Sequence, residues 1–431
     1  MCFALSAIIR FKVGKVGRRL RLRSLSCWSR KSIERLLRIQ HLFLVISRKV
    51  LVDIKELLDR ARGSLKIAIV YAGDKNDLDT VINTGINSRD WKSYRLVAEN
   101  IAKTLEKEGF SDVAVLPEDR HLGTELAKRG VDIVWLNSGG VQGINPMAHA
   151  PSLLEMLGVP YVGHNPLAVS LLDNKHVFKS VCSAATLPTA RFVVLPPSLS
   201  SDDLKNSPKF RAAFGNFSGP FIVKPVSGRA SKNVHFVDSS DELKTAIEDV
   251  REKTGHFCLI EEFLPGDEFA ISIMGPLIRR KGKFHDLPQP FAFSAVQRCF
   301  ESQERIFTSM DEKPITHDRI RLLDGTQESA IITRLENLAR EVFSCFTLSS
   351  LVRLDLRMNG NGELMILEAN PKPDLGEPTE KIASITCSGL ADQEMSYRDL
   401  IISIFAERLS QLATLRKLNP GFQRKLFGNM A

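Results

Sequence analysis

The sequence predicts a chain of the α/β and α+β class, and three features predict it. Short apolar strands alternate with amphipathic helices from Leu65 to Gly163, strand pairs joined by turns take over from Phe221, and a polar-faced hairpin spans Leu351 to Asn370. The first pattern describes a Rossmann-like parallel layer, because a strand covered on both faces reads as a continuous apolar run. The second and third describe antiparallel sheets with helices to one side.

In order, Lys66 to Tyr71 is a buried strand that Gly73 ends. Tyr94 to Glu108 repeats apolar residues at helical spacing and stops at Gly109. Val113–Leu116 and Val131–Leu136 read as strands around a helix at Leu122–Arg129, followed by a helix at Pro151–Leu157 and an extended piece at Val159–Gly163. Asp173 to Ala184 reads as one helix. Phe221–Pro225 and Val234–Val237 flank a small-residue loop, Asp241–Lys253 is an amphipathic helix, and Cys258–Phe263 and Glu268–Ile273 are strands around a Pro265-Gly266 turn. Residues 276–320 carry few recognisable elements and read as a working loop; Ile331–Phe346 is a helix.

Composition narrows the function classes. The chain has 431 residues, enough for two or three cores, with 43% hydrophobic and 25% charged residues. Its formal charge of +9 is unevenly spread: residues 1–63 hold 16 Lys/Arg against 4 Asp/Glu, the remainder 43 against 46. A basic leader thus precedes a near-neutral body, and no basic stripe with interleaved aromatics argues for nucleic acid as a partner. No run of about 18 apolar residues predicts membrane insertion. Seven scattered cysteines without a C-x-x-C pair fit a reducing, cytoplasmic setting. The Arg/Ser-rich stretch Met1–Arg30 leaves organelle targeting open, and residues 31–62 look helical.

The hairpin carries the strongest chemical signal. In Leu351–Arg357, Val352, Leu354 and Leu356 face one way and Arg353, Asp355 and Arg357 the other. Leu364, Ile366, Glu368 and Asn370 share one face of the return strand. A two-residue type I′ turn fits at Asn359-Gly360 or at Asn361-Gly362, and the second register sets Asp355 opposite Glu368 and Arg353 opposite Asn370. Facing carboxylates repel, and a divalent cation both relieves and uses them; two carboxylates and an amide oxygen suit Mg²⁺. A solvent-facing polar edge is the alternative.

Lys224 ends an apolar strand, and the loop Val226–Asn233 behind it offers backbone N–H groups of the kind that cradle phosphates. Lys175 follows Asp173-Asn174 at a helix start, and Glu261 and Glu268 flank the Pro-Gly turn, where a carboxylate could meet a nucleotide base or ribose.

The order of Asp173-Asn174-Lys175, Phe221–Pro225, Leu259–Leu264, Gly266–Phe269, Arg353-Leu354-Asp355 and Leu367–Pro371 resembles the ATP-grasp superfamily, and is most similar to D-alanine–D-alanine ligase and its relatives. The resemblance implies an ATP-grasp fold with an N-terminal pre-ATP-grasp domain. The units would be a leader at 1–64, the Rossmann-like domain at 65–163, a central lobe at 164–260, a C-terminal lobe at 261–412 and a basic tail at 413–431. It also implies ATP and Mg²⁺ (Mn²⁺ as a substitute) as cofactors, and a carboxylate and an amine as substrates joined through an acylphosphate. Lys175 and Lys224 would contact the phosphates, with Ser231 in the loop that closes over them; Glu261 and Leu264 would hold adenine and Glu268 the ribose. Asp355, Glu368 and Asn370 would bind the metal, while Arg353 and Lys224 would be the catalytic pair. Dimers are common among such relatives, which leaves a homodimer open.

The chain also departs from these ligases. Asn137–Gly143 stands where they carry a His-Gly motif with acidic residues, no early glutamate appears near Ala72–Asn76, Pro371–Leu375 replaces a small Ser/Gly stretch, and Arg229 and Asn233 replace loop glycines. These changes point away from D-alanine as substrate. Genuine D-alanine ligation and an ATP-binding module without turnover are the alternatives. Arg298 and Arg305 are candidates for a substrate carboxylate, or else ordinary surface arginines.

Overall fold

Four sheets form the frame of the computed structural model, which describes residues 53–427 apart from 75, 78, 81–91, 199–203, 205–206, 229–230, 303, 308–313, 381–382 and 415–419. The targeting question raised by Met1–Arg30, and Arg229 of the phosphate loop, lie outside the described residues. Helix α1 (Ile54–Ser64) leads into β1 (Lys66–Tyr71), α2 (Arg95–Lys107), β2 (Asp112–Pro117), α3 (Leu122–Arg129), β3 (Ile133–Leu136), α4 (His149–Leu157) and β4 (Tyr161–Val162). The strands make a wholly parallel sheet in the order β2-β1-β3-β4. Ile67 and Ile69 face one apolar cluster and Ala68 and Val70 another, so both faces of β1 are covered, as its unbroken apolar run requires.

The reading of residues 1–64 as leader is corrected for 53–64. Leu57, Leu58 and Ala61 of α1 share a core with Phe422 and Leu426. Those two residues belong to α11 (Pro420–Phe427), in the segment expected to be a basic tail. The amphipathic face outweighed the basic composition in both places.

Helix α6 (Lys175–Ala184) matches the helix expected from Asp173 to within two residues, and α5 (Pro166–Asp173) before it was not anticipated. Asn174 has extended backbone, ends α5 and caps α6 by accepting from Val177 N at 3.1 Å. Then come β5 (Phe192–Leu195), α7 (Pro208–Phe214), β6 (Phe221–Pro225), β7 (His235–Val237), α8 (Leu243–Thr254) and β8 (Cys258–Glu262), with antiparallel order β5-β8-β6-β7. A domain boundary between 260 and 261 would cut β8; the strand ends two residues later, where the Pro-Gly turn begins.

Residues 276–320 are not a loop. After β9 (Glu268–Met274) they hold β10 (Leu277–Arg280), β11 (Lys283–Asp286), β12 (Phe291–Ala292), β13 (Val296–Arg298) and β14 (Ile320–Leu322). Helix α9 (Ser329–Cys345), β15 (Val352–Met358), β16 (Leu364–Asn370) and α10 (Tyr397–Thr414) complete the chain before α11. The order β14-β13-β9-β15-β16, with β12 also on β9, puts the hairpin strands beside β9. Among the described residues no helix is long and apolar enough to cross a membrane, and the five described cysteines are free thiols.

His164, 1% exposed, pairs through Nε2 with the Leu351 carbonyl at 3.1 Å, and burial holds its pKa down at about 4. The unfolded chain therefore binds this proton first on acidification. Stability from a neutral His164 is complete above pH 6.5 and is lost as the pH falls towards 4, by about 3 kcal/mol in all. His164→Gln should flatten that part of the stability-against-pH curve in denaturant titrations.

Candidate active site

The hairpin turn explains how the acidic pair meets. Neither two-residue turn forms. Gly362 N donates to Asn359 O at 3.0 Å and Asn359 N to Glu363 O at 2.9 Å, closing a three-residue loop with Gly362 at φ +74°. That loop pairs Met358 with Leu364 and Leu356 with Ile366, and left alone it would set Asp355 against Leu367. A β-bulge at Leu367 supplies one extra residue, and beyond it Asp355 pairs with Glu368 and Arg353 with Asn370. The expected pairing is present, by a different route. Ile366 therefore packs in the core with Leu354 and Leu356, and does not share a face with Glu368 as the simple alternation implied.

The ten residues expected at the nucleotide and the metal line one cleft of about 250 Å³, as does Arg298 but not Arg305: Lys175, Lys224, Ser231, Glu261, Leu264, Glu268, Arg353, Asp355, Glu368 and Asn370. The Asn174 break between α5 and α6 aims Lys175, whose Nζ lies 3.0 Å from Glu368 Oε2. Burial pushes the Glu368 carboxyl up, and Lys175 and Lys224 outweigh it and bring it down to about 2. On the ladder Lys224 pairs with Leu259 and Ile222 with Glu261, so Lys224 and Glu261 are diagonal neighbours on one face.

Asp355, 2% exposed, is enclosed by arginines. Arg353 meets it through two bonds, Nε to Oδ1 at 2.8 Å and a terminal nitrogen to Oδ2 at 3.0 Å, while Arg298 reaches Oδ2 at 2.9 Å. Asn370 Nδ2 donates to the same oxygen at 3.3 Å. The donors a hard cation needs are present: two carboxylates in register and an amide oxygen two pairs along. A cation would take the Asn370 oxygen, so that amide must give up its bond to Asp355.

Within the protein these side chains also hold one another. Glu261, expected at adenine, accepts ion pairs from Lys224 and, at 3.1 Å, from Lys179. Glu268, expected at ribose, is held by Arg298 and by Arg357 at 3.3 Å. Arg298 is not a surface arginine: it lines the cleft, bridges Glu268 and Asp355 and stacks over Phe307. Arg305 lies over the Phe236 ring. Ser231 is in the left-handed region (φ +57°) and donates to Phe307 O at 2.8 Å. Asn233, at φ +56°, takes a conformation that favours glycine and that Asn tolerates better than most residues, which accounts for its standing in a glycine's place.

Lys179 and Arg357 were missed. The only sequence signal for Lys179 was a charge on the apolar face of α6, beside Phe178 and Cys182, which are also buried. At the far end of the cleft, Lys372 Nζ lies 3.4 Å and Lys92 Nζ 5.3 Å from the centre of the Tyr94 ring, and Asn137 Nδ2 donates to Tyr94 O at 3.1 Å.

The family model described as D-ala D-ala ligase C-terminus matches residues 181–406, more than half of the chain. A D-alanine–D-alanine ligase of Desulforudis audaxviator is 24% identical over 316 residues, 73% of this chain and 92% of that protein. Among solved structures, the D-alanine–D-alanine ligase of Bacillus anthracis complexed with ATP superposes with a TM-score of 0.57 at 16% identity, covering 81% of this chain and 100% of that one. The VanG D-Ala:D-Ser ligase of Enterococcus faecalis gives 0.55 at 15% identity, covering 80% and 99%. With the sheet order and the facing carboxylates, these matches identify an ATP-grasp fold, and the chain belongs to the D-alanine–D-alanine ligase family.

Proposed function

We propose that the chain is an ATP- and Mg²⁺-dependent carboxylate–amine ligase that forms an amide through an acylphosphate, on a substrate other than D-alanine. The observation that supports this best is the convergence of Lys175, Lys224, Arg298 and Arg353 around the Asp355–Glu368 pair inside one cleft. Lys175 and Lys224 meet the polyphosphate, and Arg353 with Arg298 beside it faces the charge that grows on the transferring phosphoryl oxygens. Asp355, Glu368 and the Asn370 amide oxygen would hold Mg²⁺, which supplies further neutralisation of the phosphates when bound.

Phosphoryl transfer needs alignment and charge neutralisation more than a covalent side chain, and the site consists of little else. The substrate carboxylate attacks the γ-phosphorus and ADP leaves. An amine then attacks the acyl carbon, loses a proton, and expels phosphate. Ser231 bonding to Phe307 O, and Arg357 bonding to Arg305 O at 3.0 Å, draw the segment around 305–307 over the cleft and help to keep water from the acylphosphate. Lys92, Tyr94, Lys372 and Asp374 bring more charge to the substrate end than a methyl side chain requires. A D-Ala:D-Ser ligase among the fold neighbours agrees with a second substrate that varies on this scaffold.

ADP release measured with Mg²⁺ across a panel of carboxylates and amines tests the reading. A productive pair should raise release about ten-fold or more over ATP alone. EDTA should remove the increase, and D-alanine should give none. ATP binding with no substrate-stimulated release would reduce the protein to a nucleotide-binding module.

A further inference from the structure

Lys179 is a buried cation that the mechanism above does not use. Its side chain is 0% exposed, so it cannot touch a ligand in the cleft. Its ammonium donates to Thr189 Oγ1 at 2.6 Å and pairs with Glu261 Oε2 at 3.1 Å. The other oxygen of the same carboxylate, Oε1, takes Lys224, which does line the cleft. One buried carboxylate is thus shared by two lysines, one behind it and one in front.

We infer that Lys179 is a positioning residue for the nucleotide: it keeps Glu261 neutralised, so that Lys224 is free to leave that carboxylate for the polyphosphate. This rests on the nucleotide reading of the cleft. Without Lys179, the Lys224–Glu261 pair would carry no net charge and would offer little attraction to an anion. Drawing Lys224 away would also strand a carboxylate that is 2% exposed, and an uncompensated buried charge is strongly unfavourable. With Lys179 in place the trio carries one net positive charge, and Glu261 keeps a partner after Lys224 moves.

One further observation fits this handover. The Thr189 hydroxyl that accepts from Lys179 donates in turn to Ile366 O at 2.9 Å on β16. The same ammonium is thereby fastened to the strand that carries Glu368 and Asn370.

The test is calorimetric titration of ATP·Mg²⁺ into the full chain, with adenosine as a ligand that lacks phosphates. Lys179→Met should weaken ATP binding about ten-fold or more while leaving adenosine unchanged. Lys179→Arg should retain affinity. The double variant Lys179→Met/Glu261→Gln should recover ATP binding to within about three-fold of the wild type, because a neutral amide no longer traps Lys224. A purely structural role predicts the opposite, a double variant no better than the single one. If Lys179→Met does not fold, the double variant decides alone: near-wild-type ATP affinity supports the handover, and a ten-fold loss overturns it. A wild-type chain that binds no ATP·Mg²⁺ overturns the nucleotide reading and this inference together. Wild-type binding with an unaffected Lys179→Met overturns the inference only.

Discussion

Asp355→Asn is expected to reduce Mg²⁺-dependent turnover by about 10³-fold, since one substitution removes both a metal donor's charge and the anchor of two arginines. Arg353 and Arg298 both bond to the Asp355 carboxylate, at 2.8 to 3.0 Å. An amide in its place accepts at one atom only and turns an NH₂ towards one of the guanidinium groups. Breaking a buried pair in this way costs about 3–5 kcal/mol of stability, so unfolding has to be followed alongside turnover. The diagnostic result is a folded variant whose melting temperature no longer rises on adding ATP with Mg²⁺, while the wild type's does. A variant that keeps both the rise and the turnover would remove Asp355 from the metal set.

Arg353→Lys is the second large effect, a fall in kcat of about 10²–10³-fold with ATP affinity changed by only a few-fold. The guanidinium is fixed as a fork on Asp355, one nitrogen to each oxygen. Arg353 also lines the cleft. A lysine keeps the charge but is a flexible point donor, so it cannot hold Asp355 at two atoms and meet a phosphoryl oxygen with one orientation. Single-turnover measurements, which separate binding from chemistry, check the split. A loss confined to KM for ATP would make Arg353 a ground-state ligand instead.

Much of the fold was legible because the local signals were strong and agreed with the tertiary outcome. The strand Phe221–Pro225 is fully buried, and its continuous apolar run placed it to the residue. The segment 276–320 was illegible for the opposite reason. Phe291–Ala292 and Val296–Arg298 are too short to show a period, and their partners lie on β9, beyond the intervening β10–β11 pair. Helix α5 went unread, although the start of α6 after Asn174, capped through one amide and one N–H, was legible.

The site was legible as a set of residues and less so as a set of contacts. Charged groups at strand ends suffice to nominate Glu261 and Glu268, whereas Arg298 was read as part of a loop. Which carboxylate faces which cation depends on registers such as Arg298 opposite Glu268 and Arg357 opposite Glu268, which bring β13, β9 and β15 together across ninety residues of chain. The Asp355–Glu368 pairing shows the same limit within a single hairpin. A turn displaced by one residue and a bulge of one residue cancel, and a period of two has no means of representing either.

The contact between the first and last helices has an engineering consequence. Arg60 of α1 donates to Leu426 O at 3.5 Å, Ser64 Oγ to Lys425 O at 3.4 Å, and Lys425 Nζ meets Asp132, just before β3 of the parallel sheet, at 2.6 Å. With its two ends side by side, the described region from 53 to 427 is suited to circular permutation: a short linker from α11 to α1, with new termini opened in the exposed turn at Asn361, would leave the cleft-lining strands continuous on either side of the cut. The same clasp makes trimming the C-terminus before Pro420 a way to loosen the opposite end of the polypeptide.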